Sequence, residues 1–145
     1  MNLDHQIDQF LSRVTQFAEN KHEILLGECE SDEQLTSTQE HILMLLKKAP
    51  LTNARISEQL NISPAAVTKA IKKLQNQALV MPSRIESDER VVFWRLTEKG
   101  NPIAQEHETH HAKTLATYKK ITENFNSQEQ KTIQEFLSAL TEVFQ

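Results

Sequence analysis

Cysteine occurs once in the 145 residues, at Cys29, which excludes an intrachain disulfide framework and a zinc finger built on several thiolates. Glycine is almost as scarce, with two residues, and proline supplies four. So few turn formers argue against sandwiches and turn-rich barrels and favour helices. No apolar run approaches the roughly 18 residues of a membrane-spanning helix. The opening MNLDHQIDQF lacks the basic flank and apolar stretch of a secretory signal, so a cytoplasmic location is expected. What remains is a hydrophobic fraction of 38%, enough for one modest core, and a charged fraction of 25%, too balanced for a disordered chain.

The net charge of -4 conceals an asymmetry. From Lys47 to Arg95 nine basic residues stand against four acidic ones, a local +5, whereas the rest of the chain has seven against sixteen. A positive segment inside an acidic protein suits a polyanionic partner, which the remainder would repel.

Apolar residues at Ile7, Phe10, Leu11, Val14, Phe17, Ala18, Ile24 and Leu25 predict an amphipathic helix over 4–26 with Gly27 as its stop. An acidic loop follows, then a helix that opens after Thr36 or Ser37 and ends before Pro50. Thr52 caps a short helix to Leu60, and a tight turn at Asn61-Ile62 leads to Ser63-Pro64, a cap followed by proline at the first helical position. The period then changes. Leu79-Val80-Met81 and Val91 to Leu96 are strand-like, with a polar hairpin tip from Arg84 to Arg90. Helix resumes after Thr97 as far as Asn124, and Ser127 with Gln130 suggests a capping box for a last helix. The fold class expected is mainly α with a small β-hairpin wing: a winged helix-turn-helix over 36–97, within a single domain spanning 1–145. The flanking segments 1–35 and 98–145 carry apolar stripes that a homodimer would bury.

In that arrangement the second helix of the pair enters a major groove of double-stranded DNA, presenting Ser63, Thr68, Lys69, Lys72 and Lys73. Lys72 and Lys73 are placed to meet phosphates, and Arg84 and Arg90 on the wing to reach a minor groove.

A second signal comes from six histidines. His107 and His111 are four apart on one helical face, with His110 beside them. Upstream lie His22-Glu23, Glu28-Cys29-Glu30 and Glu40-His41, a mixed imidazole, thiolate and carboxylate set that zinc prefers. His107-Glu108-Thr109-His110-His111 also satisfies H-E-x-x-H, the zinc metalloprotease pattern. A catalytic site would need an open coordination position and a cleft, for which this short chain has little room. Oxidation sensing by Cys29 is opposed by Glu28 and Glu30, which raise a thiol pKa.

The runs LTSTQEHILMLL, LTNARISEQLNISPAAVTKAIKKLQNQALV and SRIESDERVVFWRLTEKG resemble a MarR-type transcriptional regulator over essentially the whole chain. The wing signature is present as Asp88, Arg90 and Leu96-Thr97-Glu98-Lys99-Gly100. The resemblance implies dimerisation through the terminal helices and a wing arginine, Arg90, oriented by Asp88. Within that family AENKHEILLGECE, TQEHILMLL and the His-rich segment are similar to the zinc-responsive repressors of zinc uptake in streptococci and lactococci. That likeness implies a primary site at Glu23, His41, His107 and His111 and a second at Cys29, Glu40 and Glu106, hence two zinc ions per subunit, with His110 as an alternative ligand. The function implied is a zinc-dependent repressor of zinc-uptake genes acting on palindromic operators, and not an enzyme. A MarR-type repressor released from DNA by a small aromatic ligand is the alternative, and it predicts an apolar pocket between the module and the dimerisation helices.

Overall fold

The structure, a computed structural model, describes residues 2–19, 21, 23–27, 34–84 and 90–145. Its elements run α1 (Leu3–Phe17), α2 (Ser37–Lys48), α3 (Asn53–Leu60), α4 (Pro64–Asn76), β1 (Val80–Arg84), β2 (Val92–Leu96), α5 (Asn101–Thr122) and α6 (Ser127–Val143). The chain divides into two compact units, 1–110 and 111–145, with α5 continuing through the boundary.

The first unit holds the core. Ile42, Leu43 and Leu46 of α2 meet Ile56 and Leu60 of α3, Val67, Ile71 and Leu74 of α4, and Ile103 and Ala104 of α5. α2, α3 and α4 each open on a polar cap that answers free N–H groups. The Thr36 hydroxyl accepts from Gln39 N while the Gln39 side chain accepts from Thr36 N. Thr52 and Ser63 serve α3 and α4 in the same way. Between those helices Asn61 adopts the left-handed conformation, at φ 53°, that an Asn tolerates and a tight turn requires.

β1 and β2 pair antiparallel, from Val80 opposite Leu96 to Arg84 opposite Val92. A bridge of Leu51 and Trp94, whose N–H groups donate to each other's carbonyls at 3.1 and 2.8 Å, ties the hairpin to the entrance of α3. The Leu-Thr-x-x-Gly motif makes the corner out of the wing. Thr97 N donates to Leu79 O at 3.1 Å, and its hydroxyl donates to Ala78 O at 2.6 Å. Gly100 packs so closely that a Cβ there would collide with the Leu79 carbonyl.

Three expectations are corrected. α1 ends at Phe17 rather than continuing to 26, so Glu23, Ile24 and Leu25 lie in the loop that follows. Ile24 is exposed there and Leu25 only half-buried, so the helix-like spacing does not mark a buried helical face. Arg84 is the last residue of β1 rather than part of the tip. The last helix is capped by Asn126 with Glu129, not by Ser127 with Gln130. The Gln130 amide instead donates to Thr122 O and Phe125 O, pinning the turn that begins the second unit's α6.

α1 and α6 bury no residue. Phe10 and Phe17 of α1 are exposed, as are Leu115, Tyr118 and Ile121 of α5 and Phe136, Leu137 and Val143 of α6. None of the helices among the described residues is long and apolar enough to cross a membrane.

Candidate metal centre and nucleic-acid interface

The loop after α1, the first turn of α2 and the middle of α5 converge on one buried imidazole. His107 is fully buried, because residues 103, 104 and 107 of α5 share the face turned to the core. Its Nε2 lies 2.7 Å from Glu23 Oε1, and its Nδ1 lies 3.3 Å from Glu40 Oε2. The second carboxylate oxygen of Glu23 is 2.7 Å from His41 Nδ1, so one side chain bridges two rings. Those rings meet edge to face with centroids 5.5 Å apart. His111, one turn beyond His107 on the same helix, adds a fourth donor. One atom from each of Glu23, His41, His107 and His111 can be chosen so that all lie within 4.8 Å of one another.

The ionisation of the cluster follows from this geometry. Burial alone would push the His107 pKa down, but the bonds to Glu23 and Glu40 outweigh it and lift the pKa to about 9. Burial likewise opposes ionisation of Glu23, yet bonds from His107 and His41 hold its carboxyl well below the usual carboxylate range. The pair is therefore an imidazolium and a carboxylate near neutral pH.

Three imidazoles and one carboxylate form a four-donor set suited to tetrahedral zinc, supplied wholly by protein. Glu40 beside His107 Nδ1 is the kind of carboxylate that fixes the tautomer and orientation of a ligating histidine. The same residue is also expected in the second site, where Glu106 Oε1 lies 3.6 Å from His110 Nε2. Cys29, the remaining member of that set, lies outside the described residues, as does His22.

Glu108 settles the H-E-x-x-H motif. As the residue following His107 it points about 100° around the helix, and its carboxylate lies 3.4 Å from Lys47 Nζ, which also donates to Gln105 Oε1. The base of a protease would have to face the ion. Lys47 itself carries no sequence signal for this role, since nothing in the spacing links residues so far apart in the chain.

The expected DNA-contacting residues fall on one module. Ser63, Thr68, Lys69, Lys72 and Lys73 are exposed along α4. Ser63 accepts from Ala66 N and Thr68 donates to Pro64 O. Lys73 Nζ donates to Gln34 O, which joins the end of α4 to the segment entering α2. Arg84 and Arg90 are exposed on either side of the wing tip, and Asp88 lies outside the described residues. A cleft of about 470 Å³ lies within the module, between the start of α3 and the wing, lined by Thr52, Asn53, Arg90 and Trp94 among others.

A helix-turn-helix with a β-wing, its second helix exposed and basic, defines a DNA-binding transcriptional regulator. A family profile described as transcriptional regulator SarA/Rot matches residues 25–107. The transcriptional regulator ZitR of Lactococcus lactis subsp. cremoris is 65% identical over 99% of both chains. AdcR of Streptococcus pneumoniae is 50% identical over 95% of this chain and 94% of its own. Among solved structures, wild-type L. lactis ZitR in complex with DNA superposes with a TM-score of 0.94 at 65% identity, covering 100% of this chain and 99% of that one. The zinc-dependent MarR family regulator AdcR in its Zn(II)-bound state gives 0.86 at 48% identity, with 100% and 99% coverage. The chain belongs to the MarR family of transcriptional regulators, and it is not an enzyme.

Proposed function

We propose that this chain is a zinc-responsive MarR-type repressor that binds palindromic operator DNA as a homodimer and controls zinc-uptake genes with zinc as corepressor. The observation that carries the reading is the convergence of Glu23, His41, His107 and His111, from three chain segments, within 4.8 Å. Its likeness to a zinc-dependent regulator and to a regulator solved on DNA supports it.

Glu23, His41, His107 and His111 hold the primary ion. A second ion per subunit takes Cys29, Glu40 and Glu106. Zinc supplies a cross-link and no reaction. His41 reaches the cluster from one face of α2, while Ile42, Leu43 and Leu46 on its other side belong to the core beneath the helix-turn-helix. α2 is thereby restrained by the site and in contact with α4 at once. Fixing α2 and α5 to the loop restricts the orientations of the module, and the orientation that matches successive major grooves gains affinity by the ordinary coupling of two binding sites. Ser63, Thr68, Lys69, Lys72 and Lys73 then meet the major groove and its phosphates, and Arg84 and Arg90 the minor groove. The exposed apolar residues of α1, α5 and α6 form the dimer contact, and the protein acts in the cytoplasm.

Fluorescence anisotropy of chelator-stripped protein on a zinc-uptake promoter, at fixed salt with and without buffered zinc, tests the proposal. DNA affinity should rise with zinc, and a His107→Ala, His111→Ala double variant should lose the gain. Equal binding under both conditions would refute the corepressor role.

A further inference from the structure

Gly27 has a φ of 103°, a conformation that side chains rarely adopt. A Cβ at this position would lie 2.5 Å from Nδ1 and 2.8 Å from Cε1 of His110. The loop backbone therefore lies directly against the His110 imidazole, in space that only a glycine leaves. The ring has a second neighbour on its own helix. Its side chain is 14% exposed, and Nε2 is 3.6 Å from Glu106 Oε1, one helical turn back on α5. Four residues before Gly27 stands Glu23, the carboxylate that bridges His41 and His107. α1 has ended at Phe17, so no regular helix carries Glu23 into place.

We propose that Gly27 and His110 form a steric latch that seats the loop after α1 on α5, and that His110 is a positioning residue for Glu23 rather than a zinc ligand. The latch rests on the zinc reading above for its purpose. Its own substance is the fit of a glycine against a ring. A methyl group at position 27 must push the loop off the helix, which withdraws Glu23 from His107, or turn the imidazole out of its place, which removes the seat of the loop. Removing the ring relieves the collision. The two substitutions should therefore compensate each other, which independent defects do not do.

Two measurements on the full chain test the latch. The first is zinc affinity by competition with a chromophoric chelator, for the wild type, Gly27→Ala, His110→Ala, the Gly27→Ala, His110→Ala double variant and His111→Ala. Gly27→Ala should weaken binding by about 10-fold to 100-fold, the range for outer-shell groups that orient ligands. The double variant should regain about half of that loss on a logarithmic scale, the left-handed backbone accounting for the rest. The second is the rate of tryptic cleavage after Lys21 in chelator-stripped protein, which should rise in Gly27→Ala and fall back in the double variant. Wild-type behaviour of Gly27→Ala in both assays overturns the latch, and so does a double variant no better than Gly27→Ala. A loss in His110→Ala as large as in His111→Ala would make His110 a ligand and overturn its positioning role. Failure of the wild type to bind zinc would sink the zinc reading instead, while the cleavage rates would still decide whether the latch exists.

Discussion

At the scale of single residues, His107 concentrates the chemistry, because its two nitrogens face two different carboxylates. With its pKa raised to about 9, its proton must leave before Nε2 can bind a cation. Isothermal calorimetry near neutral pH, in buffers of different ionisation enthalpy, should register about one proton released per zinc at this site. Zinc affinity should climb as pH rises toward 9. In chelator-stripped protein the same group acts oppositely on stability. A pKa above the ordinary 6.5 contributes stability that is complete below 6.5 and lost as pH rises through about 9. Glu23, depressed from 4.5, contributes above 4.5 and loses its share only as pH falls toward its low folded value. Denaturant midpoints of the stripped protein should thus decline from pH 7 to 9, and Glu23→Gln should flatten that decline. An equal slope in the variant would show that another group is responsible. Glu40→Ala removes the acceptor at His107 Nδ1 and should weaken zinc binding about 10-fold through ligand orientation. Unchanged affinity by chelator competition would leave Glu40 without that role.

At the scale of elements, the most demanding contact is the corner where β2 hands over to α5. Gly100 leaves room for the Leu79 carbonyl, which receives the Thr97 N–H. Gly100→Ala forces backbone against backbone, with no flexible side chain to yield, and should cost about 2 kcal/mol, within the range for overpacked sites. Urea unfolding followed by circular dichroism measures it. Asn126→Ala removes the cap of α6 and should cost about 1 kcal/mol. A Gly100→Ala effect smaller than that of Asn126→Ala would contradict the ranking of a buried corner above an exposed cap. The two glycines of this chain thus do related work at different places, each yielding to a neighbour that a methyl group would strike.

At the scale of the whole molecule, α1 and α6 are helices without a buried residue. Amphipathic helices gain most of their stability by burying an apolar face, and a second copy of the chain is the partner that the proposal assigns. Leu137 is 51% exposed on α6. Leu137→Asp should shift the protein toward monomer in sedimentation velocity and lower operator affinity more than about 10-fold, since two half-sites then bind separately. A variant that stays dimeric with full affinity would place the dimer contact elsewhere. Lys72, exposed on α4, acts through phosphates in this scheme. Lys72→Ala should weaken binding to all sequences alike and reduce the salt slope of log K by about 1.

The helix-turn-helix module can be read from local sequence alone. Capping at Thr36, Thr52 and Ser63 depends on residues three positions away, and the apolar periods of α2 to α4 are local too, so the order and near-boundaries of these elements were legible. The charge of the wing and recognition helix was equally plain, because it needs only counting. The candidate ligands could be named by residue type and by resemblance, but bringing Glu23 to His107 across 84 positions in the chain depended on tertiary packing. The apolar spacing of α1 continues past Phe17, yet the helix ends there, and Glu23 meets two histidines from the loop that follows, a pairing that periodicity does not encode. Gly27 looked like a helix stop and proved to be a place where the backbone meets an imidazole. Local hydrogen bonding and hydrophobic period are written in neighbouring residues, whereas charge pairing, steric fit and ligand convergence arise only when distant segments share a core.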